Sequence, residues 1–430
     1  PCELFLKLEN QNPGGSIKDR IGKSMIEAAE KDGFLRKGDT LVEATAGNTG
    51  LGLALVASQK GYRLILVVPD KMSSEKIYHL RALGTEVRIT RSDVGKGHPE
   101  YYQDMAKRIA MESDSFFVNQ FENPANPRAH ETTTAPEIWD QMDHRLDAAI
   151  CGVGSGGTIT GLSHYFQRVA PHVEIVLADP KGSILAHYVK TRKVLTEVGS
   201  WLVEGIGEDF IPPIADLSRV KKAFVIDDAE SLGTARDLLR KEGILAGSSS
   251  GTLIAAALRY CREQTEPKRV VTFVCDSGNK YLSKMFNDFW MRDQGLLERE
   301  TTGDLLDLIA RRHRDRDTIT LSPEDKLVTA YRKMKLYSVS QIPVLKDGTL
   351  VGIVDETDLL RGVMDGGDRF AQTVQGIMTH TPITVSVSSP IKDLPSVFEK
   401  FHSAPVMDGK TFLGLITRID LLDYLNKKMS

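Results

Sequence analysis

The chain has 430 residues, 41% of them hydrophobic, which is too many for one ordinary domain and enough for two or three buried cores. Its formal net charge of −3 mixes both signs, so no global basic field is present to hold nucleic acid or a membrane surface. The four cysteines, Cys2, Cys151, Cys261 and Cys275, form no CxxC pair or Cys/His cluster. With no membrane-length apolar run and no visible signal peptide, a reducing cytoplasm is expected, with no metal and no haem in this region.

The first residues, PCELFLKLE, open without Met and run straight into a strand-like alternation, so a longer native chain is expected upstream. NPGGSIKDR, Asn12 to Arg20, follows, with Lys18 two residues beyond a Gly-Gly-Ser turn where a helix begins. Taken alone, Lys18, Asp19 and Arg20 read as a solvated first turn, with Gly14 and Gly15 making the bend. The helix SIKDRIGKSMIEAAEKDG closes on Gly33. LFLKLE, TLVEA, RLILVVP, EVRIT, FFVNQ, AAICGV, EIVLAD and VVTFVCD then read as short strands alternating with helical runs. This alternation predicts an α/β domain over residues 1–295, its mainly parallel sheet covered on both faces. Ligands in such folds lie beyond the carboxyl ends of the strands.

Three glycine-rich turns follow predicted strands and precede helices: TAGNTG (45–50), GVGSGGT (152–158) and AGSSSG (246–251). One such turn needs glycine for steric reasons alone, but three in one domain favour a phosphate-bearing cofactor. GKS at 22–24 fails as a P-loop, because the required glycine would fall on Ile17. Gly152, Gly154 and Gly157 satisfy G-x-G-x-x-G, with Asp179 ending the next strand, so a nicotinamide-dependent dehydrogenase is a rival. That rival leaves Lys18, the Asn48 loop and the serine loop without a task.

Residues 296–315 become strongly charged and read as a solvated linker. Beyond them QIPVLKDGTLVGIVDETDLLRGV and SAPVMDGKTFLGLITRIDLLDYL repeat, pairing Pro343 with Pro405, Gly352 with Gly414, Asp358 with Asp420 and Leu359 with Leu421. Two small α/β units, 316–372 and 373–430, are expected to stack, since neither alone buries much surface.

NPGGSIKDR, TAGNTG, NQFENPANP, GVGSGGTITG, VEGIGEDFIP and GSSSG, in this order, resemble the β-family (fold type II) of pyridoxal-phosphate enzymes over about residues 1–295. The tail resembles the paired CBS-domain, or Bateman, module. The combination is similar to the cystathionine-forming branch of that family rather than to cysteine synthases, which normally lack the tail. The resemblance implies a two-lobed, tryptophan synthase β-like domain, a homodimer, and a Schiff base between Lys18 and pyridoxal 5'-phosphate. It implies that Gly154, Ser155, Gly156, Gly157 and Thr158 cradle the phosphate, that Asn48 meets the phenolate oxygen, and that Ser249 faces the pyridine nitrogen. A neutral hydroxyl there gives a milder electron sink than a carboxylate, suited to expelling a β-substituent. Thr45, Ala46, Asn48 and Thr49 match the loop that receives the substrate carboxylate, with Gln120 nearby. Read without the resemblance, Asn48 is a turn former, the serines a helix N-cap and Gln120 a strand-end polar residue.

The implied reaction condenses L-serine with L-homocysteine to cystathionine, with O-acetylserine and sulfide or homocysteine as the alternative. A non-catalytic metabolite sensor would have no use for Lys18. Three departures bear on the substrates: Ala46 where many relatives have serine, and Phe121 and Glu208 where the animal cystathionine-forming enzymes have tyrosine. In the tail, Thr417 and Asp420 match the Thr-x-x-Asp with which such modules hold an adenosyl group, S-adenosylmethionine being the natural candidate. The first copy places Asp355 where that threonine would be. The plainer reading is that Asp420 caps the final helix.

Overall fold

The structure is a computed structural model describing residues 2–45, 47–70, 72–95, 97–195, 197–298, 301–364 and 370–429, so Ala46 lies outside the described residues. The chain divides into two compact units, Pro1–Leu296 and Leu297–Ser430.

The first unit contains β1 (Cys2–Leu8), β2 (Thr40–Ala44), β3 (Arg63–Pro69), β4 (Glu86–Thr90), β5 (Phe116–Phe117), β6 (Ala148–Cys151), β7 (Glu174–Pro180), β8 (Lys222–Ile226) and β9 (Lys268–Val274). They form two sheets, ordered β1-β9-β6-β7-β8 and β4-β3-β2-β5, and every strand pairing in both is parallel. The Val-, Ile- and Leu-rich runs of β2, β3, β6, β7 and β9 are largely buried, as expected for parallel strands covered by helices, whereas β1 is half-buried and the edge strand β4 is mostly exposed. β8, KAFVI, has no counterpart among the predicted strands. It is a five-residue edge strand bracketed by Lys221 and Asp227, too short and too charged at its ends to read as one.

FFVNQ pairs through Phe116 and Phe117 only, although the Val118 amide still donates to the Val42 carbonyl at 3.0 Å. Asn119 then takes a left-handed φ of 52°, which ends the strand, and Gln120 follows it beside Ala44 and Thr49.

In the second unit the repeat is visible as register. β10 (Gln341–Lys346) pairs antiparallel with β11 (Thr349–Asp355), and a helix, Glu356–Met364, follows. After β12 (Val385–Ser386), β13 (Ser403–Asp408) pairs with β14 (Thr411–Thr417), which leads into helix Arg418–Met429. Both hairpins set a valine opposite a glycine, Val344 on Gly352 and Val406 on Gly414, and both slip register directly after that pair.

Part of the segment expected as linker is core. Leu305, Leu306, Leu308 and Ile309 pack with Phe398, Ala404, Val406 and Ile416 of the second repeat. Arg312, in the charged run, is 1% exposed and bonds the Leu306 carbonyl through Nε at 3.2 Å. Four apolar side chains within five residues find a hydrophobic face here, and the neighbouring charges only obscure them in the sequence.

Candidate active site

The NPGGSIKDR loop is fastened to the end of β9. The Ile17 amide donates to the Cys275 carbonyl at 2.8 Å, and the Ser277 amide donates to the Gly15 carbonyl at 3.1 Å. Lys18 begins helix Lys18–Lys31, and its amide donates to the Ser16 hydroxyl at 3.2 Å. Its side chain lines a cavity between the two sheets. Burial pushes the Lys18 amine below the ordinary lysine range, opposed by the nearby Cys275, Asp276 and Glu208.

The same cavity is lined by Thr45, Asn48, Thr49, Gln120, Gly154, Ser155, Gly156, Gly157, Thr158 and Ser249, which come from both sheets and four loops. Helix Asn48–Lys60 starts at Asn48, whose Nδ2 donates to Asp276 Oδ2 at 2.7 Å while its Oδ1 accepts from Lys280 Nζ at 3.0 Å. An amide nitrogen carries two hydrogens, so one remains for a ligand oxygen. Lys280 Nζ also donates to the carbonyls of Gly14 and Gly15, both at 3.1 Å, so one buried ammonium holds Asn48 and the loop before Lys18 in fixed relation.

Gly154–Thr158 runs from β6 into helix Gly157–Val169, and a helix N-terminus presents unbonded N–H groups suited to a dianion. Packing beneath this turn is close: a β-carbon at Gly157 would lie 1.8 Å from Asn126 Oδ1. Asn126 Nδ2 reaches the Gln120 carbonyl at 2.8 Å and Ser155 Oγ at 2.9 Å, while its buried Oδ1 has no hydrogen-bond partner among the described residues. Thr158 Oγ1 lies 3.3 Å from His130 Nε2, and burial holds that imidazole well below its ordinary range, hence neutral. An open set of amides plus a hydroxyl fits a phosphate.

The three serines of GSSSG divide their tasks. Ser248 Oγ accepts from the Glu204 amide at 3.0 Å and Ser250 Oγ from the Cys275 amide at 2.9 Å. Ser249 lines the cavity beside Cys275, whose thiol burial pushes up to about 12, so both are neutral there. The set therefore fits pyridoxal phosphate: a lysine to bond its aldehyde, a cradle for phosphate, an amide for the ring oxygen and a hydroxyl for the nitrogen.

Thr49 Oγ1 donates to Gln120 Oε1 at 2.7 Å, and Gln120 Nε2 donates to the Ala44 carbonyl at 3.2 Å, joining the Thr45–Thr49 loop to the end of β5. Beneath them Glu43 is fully buried. Its Oε1 accepts from the Gln120 amide at 3.4 Å, its Oε2 has no hydrogen-bond partner among the described residues, and burial raises its pKa to about 8.

Asp179 does not reach the cavity. It is fully buried, and its Oδ2 accepts from the Ala186 amide at 2.8 Å, so it serves helix Leu185–Thr191. The G-x-G-x-x-G glycines face Lys18 instead, which removes the dehydrogenase reading. The residues that sequence reasoning missed are Glu43, Asp276, Lys280 and a buried cluster in which Lys76 Nζ meets Glu204 Oε2 at 2.5 Å and Tyr281 Oη at 3.2 Å. Lys280 is hidden in an ordinary-looking SGNKY turn, and nothing local in the sequence marks it.

Comparison with known proteins agrees with this geometry. Residues 1–276 match the pyridoxal-phosphate dependent enzyme family, and residues 309–365 and 374–427 match the CBS domain. The chain is 34% identical to a cystathionine beta-synthase of Apis mellifera, over 99% of this chain and 86% of that protein. It is 36% identical to that of Dictyostelium discoideum, over 99% and 88%. The crystal structure of an O-acetylserine dependent cystathionine beta-synthase from Helicobacter pylori superposes with a TM-score of 0.61 at 38% identity, covering 66% of this chain and 89% of that one. The chain is thus an enzyme of the pyridoxal-phosphate-dependent family, its parallel-sheet catalytic fold followed by a tandem of CBS domains.

Proposed function

We propose that the protein condenses L-serine with L-homocysteine by β-replacement to give cystathionine, acting as a cytoplasmic homodimer. One observation carries the reading: Lys18, Asn48, Thr49, Gln120, Ser249 and the Gly154–Thr158 turn line a single cavity. Pyridoxal phosphate, when bound, supplies the electron sink that acidifies the α-proton of an amino acid and lets its β-substituent leave. Gly154, Ser155, Gly156, Gly157 and Thr158 would hold its phosphate, Asn48 its ring oxygen and Ser249 its nitrogen. Thr45, Thr49 and Gln120 receive the substrate carboxylate. Lys18 Nζ takes the α-proton and later returns one, and the burial that lowers its pKa makes the neutral amine available for this. Phe121 packs on Phe210 with ring centroids 5.7 Å apart, forming an apolar wall against water.

O-acetylserine as first substrate is the second reading, favoured by the 38% identity to the Helicobacter pylori enzyme that depends on it. A product assay decides, offering serine or O-acetylserine with homocysteine or sulfide. Cystathionine from serine supports the first reading, product from O-acetylserine alone supports the second, and no product from any pair overturns both.

In the second unit a cavity is lined by Arg311, Ser340, His402, Thr417 and Asp420, among others, and we assign it to an adenosyl ligand, with S-adenosylmethionine as the regulator. Asp420 Oδ2 accepts from the Thr417 amide and hydroxyl at 2.6 and 2.5 Å, so it also caps helix Arg418–Met429. In the first repeat Asp355 and Asp358 cap each other's amides at 2.8 and 3.1 Å, which puts two carboxylates where a phosphate would sit. Calorimetric titration of S-adenosylmethionine into wild type and Asp420→Ala tests this. Heat in the wild type alone supports the site; no heat in either, or equal heat in both, overturns it.

A further inference from the structure

The Gly154–Thr158 turn is backed by one stretch of chain, helix Ala125–Ala129 continuing as the π-helical turn His130–Thr134. Helix Gly157–Val169 lies directly on it: a β-carbon at Gly161 would stand 2.5 Å from the Pro127 carbonyl oxygen and 2.7 Å from the β-carbon of His130. Two side chains of this stretch reach the two hydroxyls of the turn from behind, Asn126 at Ser155 and His130 at Thr158. The direction of the first bond is fixed. Asn126 Nδ2 also bonds the Gln120 carbonyl, which can only accept, so the amide cannot be turned over and Ser155 Oγ is the acceptor. The proton of the Ser155 hydroxyl is thereby left for the cavity.

The direction of the second bond follows from the protons available. His130 is fully buried, and burial together with the cations Lys18 and Arg20 keeps its imidazole uncharged, so the ring carries one proton. Its Nδ1 lies 2.9 Å from Thr134 Oγ1 and its Nε2 lies 3.3 Å from Thr158 Oγ1. The hydroxyls of Thr132 and Thr133 return to the carbonyls of Arg128 and Ala129, at 2.8 and 2.6 Å. That of Thr134, fully buried, meets only the imidazole among the described residues. A ring proton on Nδ1 would leave the Thr134 proton without an acceptor in the interior. It would also draw the single proton of Thr158 onto Nε2 and turn its lone pairs toward a dianion. With the proton on Nε2, Thr134 donates to Nδ1 and Nε2 donates to Thr158, so every donor is matched.

We infer that His130 is a positioning residue that, with its proton on Nε2, donates to Thr158 Oγ1 and leaves the Thr158 proton for the cofactor phosphate. The inference rests on the reading above that Gly154–Thr158 hold that phosphate. The imidazole stands behind the cavity wall rather than in it, and acts only through Thr158.

The experiment strips the full chain of cofactor and titrates it with pyridoxal phosphate, following the visible band at equilibrium. Thr158→Val should weaken binding on the order of ten- to a hundredfold, the scale of one hydrogen bond to a charged group. His130→Asn keeps a polar group beside Thr134 without reaching Thr158, and should weaken binding on the order of tenfold. His130→Gln can place an amide N–H where Nε2 stands, and should bind within about threefold of wild type. His130→Asn combined with Thr158→Val should bind no worse than Thr158→Val alone. Losses that multiply in the double variant, or equal losses in His130→Asn and His130→Gln, mark a merely structural imidazole and overturn the inference. Holoenzyme carrying isotope-labelled histidine supplies a second readout by NMR that needs no variant to fold. The ring nitrogens of His130 should report a neutral imidazole protonated on Nε2, and a proton on Nδ1 overturns the inference. Unchanged affinity in Thr158→Val overturns the phosphate assignment and this inference with it. Weakened binding in Thr158→Val with unchanged binding in His130→Asn overturns the role of His130 alone.

Discussion

Gly52 lies directly against the carbonyl of Lys18: a β-carbon on Gly52 would stand 2.5 Å from that oxygen, and one on Gly22 would stand 2.6 Å from the carbonyl carbon of Gly52. Helices Lys18–Lys31 and Asn48–Lys60 thus cross backbone on backbone, and the lysine is placed by glycines of both. Gly52→Ala should force the helices apart, lowering stability by about 1–3 kcal/mol and turnover with it. Gly233→Ala, in a helix where a β-carbon meets nothing within 4 Å, is the control and should be neutral or stabilising. Urea midpoints and kcat for both variants check this; a Gly52→Ala enzyme equal to wild type contradicts it.

Lys18→Ala should abolish turnover while the fold persists, and Lys18→Arg should fail as well, because a guanidinium stays protonated and forms no imine. The measurement is the visible absorbance of purified protein and its loss on borohydride treatment, alongside product formation. Wild type should show the bleachable band and both variants should lack it. Near-normal steady-state turnover in either variant would count against the assignment of Lys18.

Ser249→Asp places a carboxylate where the structure holds a neutral hydroxyl beside a neutral thiol. Cofactor should remain bound while turnover falls on the order of a hundredfold, the scale of one misplaced charge in a preorganised site. Ser250→Ala should instead weaken the fold, since its hydroxyl serves the Cys275 amide. Cofactor content by absorbance and initial rates separate the two; unchanged turnover in Ser249→Asp means another group faces the ring.

Glu43 gives a pH signature. Its pKa in the folded protein is raised from 4.5 to about 8 by burial, so the folded state holds a proton that the unfolded state releases between those values. The stabilisation is complete below 4.5 and is lost as pH rises toward 8, at up to about 1.4 kcal/mol per pH unit. Glu43→Gln removes this slope. Urea denaturation of both proteins from pH 5 to pH 8 should show wild type losing stability relative to the variant, and parallel curves would refute it.

The amino-acid sequence by itself determined the parallel α/β class, the three loops that meet at the cavity, and the tandem repeat. These are local matters: a period of hydrophobicity, a glycine turn before a helix, or a recurring block such as PVLKDG and PVMDGK is written in neighbouring residues. The order of the motifs then carried the resemblance that singled out Lys18, Asn48 and Ser249.

Only the tertiary structure decided which side chains those loops aim at one another. It gave Ser248 to the Glu204 amide and Ser250 to the Cys275 amide, and it gave Asp179 to a helix end rather than to a ligand. It buried Glu43 beneath Gln120 and the leucines of 305–309 under the second repeat. Lys280 joins Asn48 and Gly14 although more than two hundred residues separate it from either. Such contacts have no local signal, because a turn residue looks the same whether water or a buried carbonyl meets its ammonium. Its role is set by which backbone the fold brings within 3.1 Å of that charge, and by the burial that leaves the residue 7% exposed.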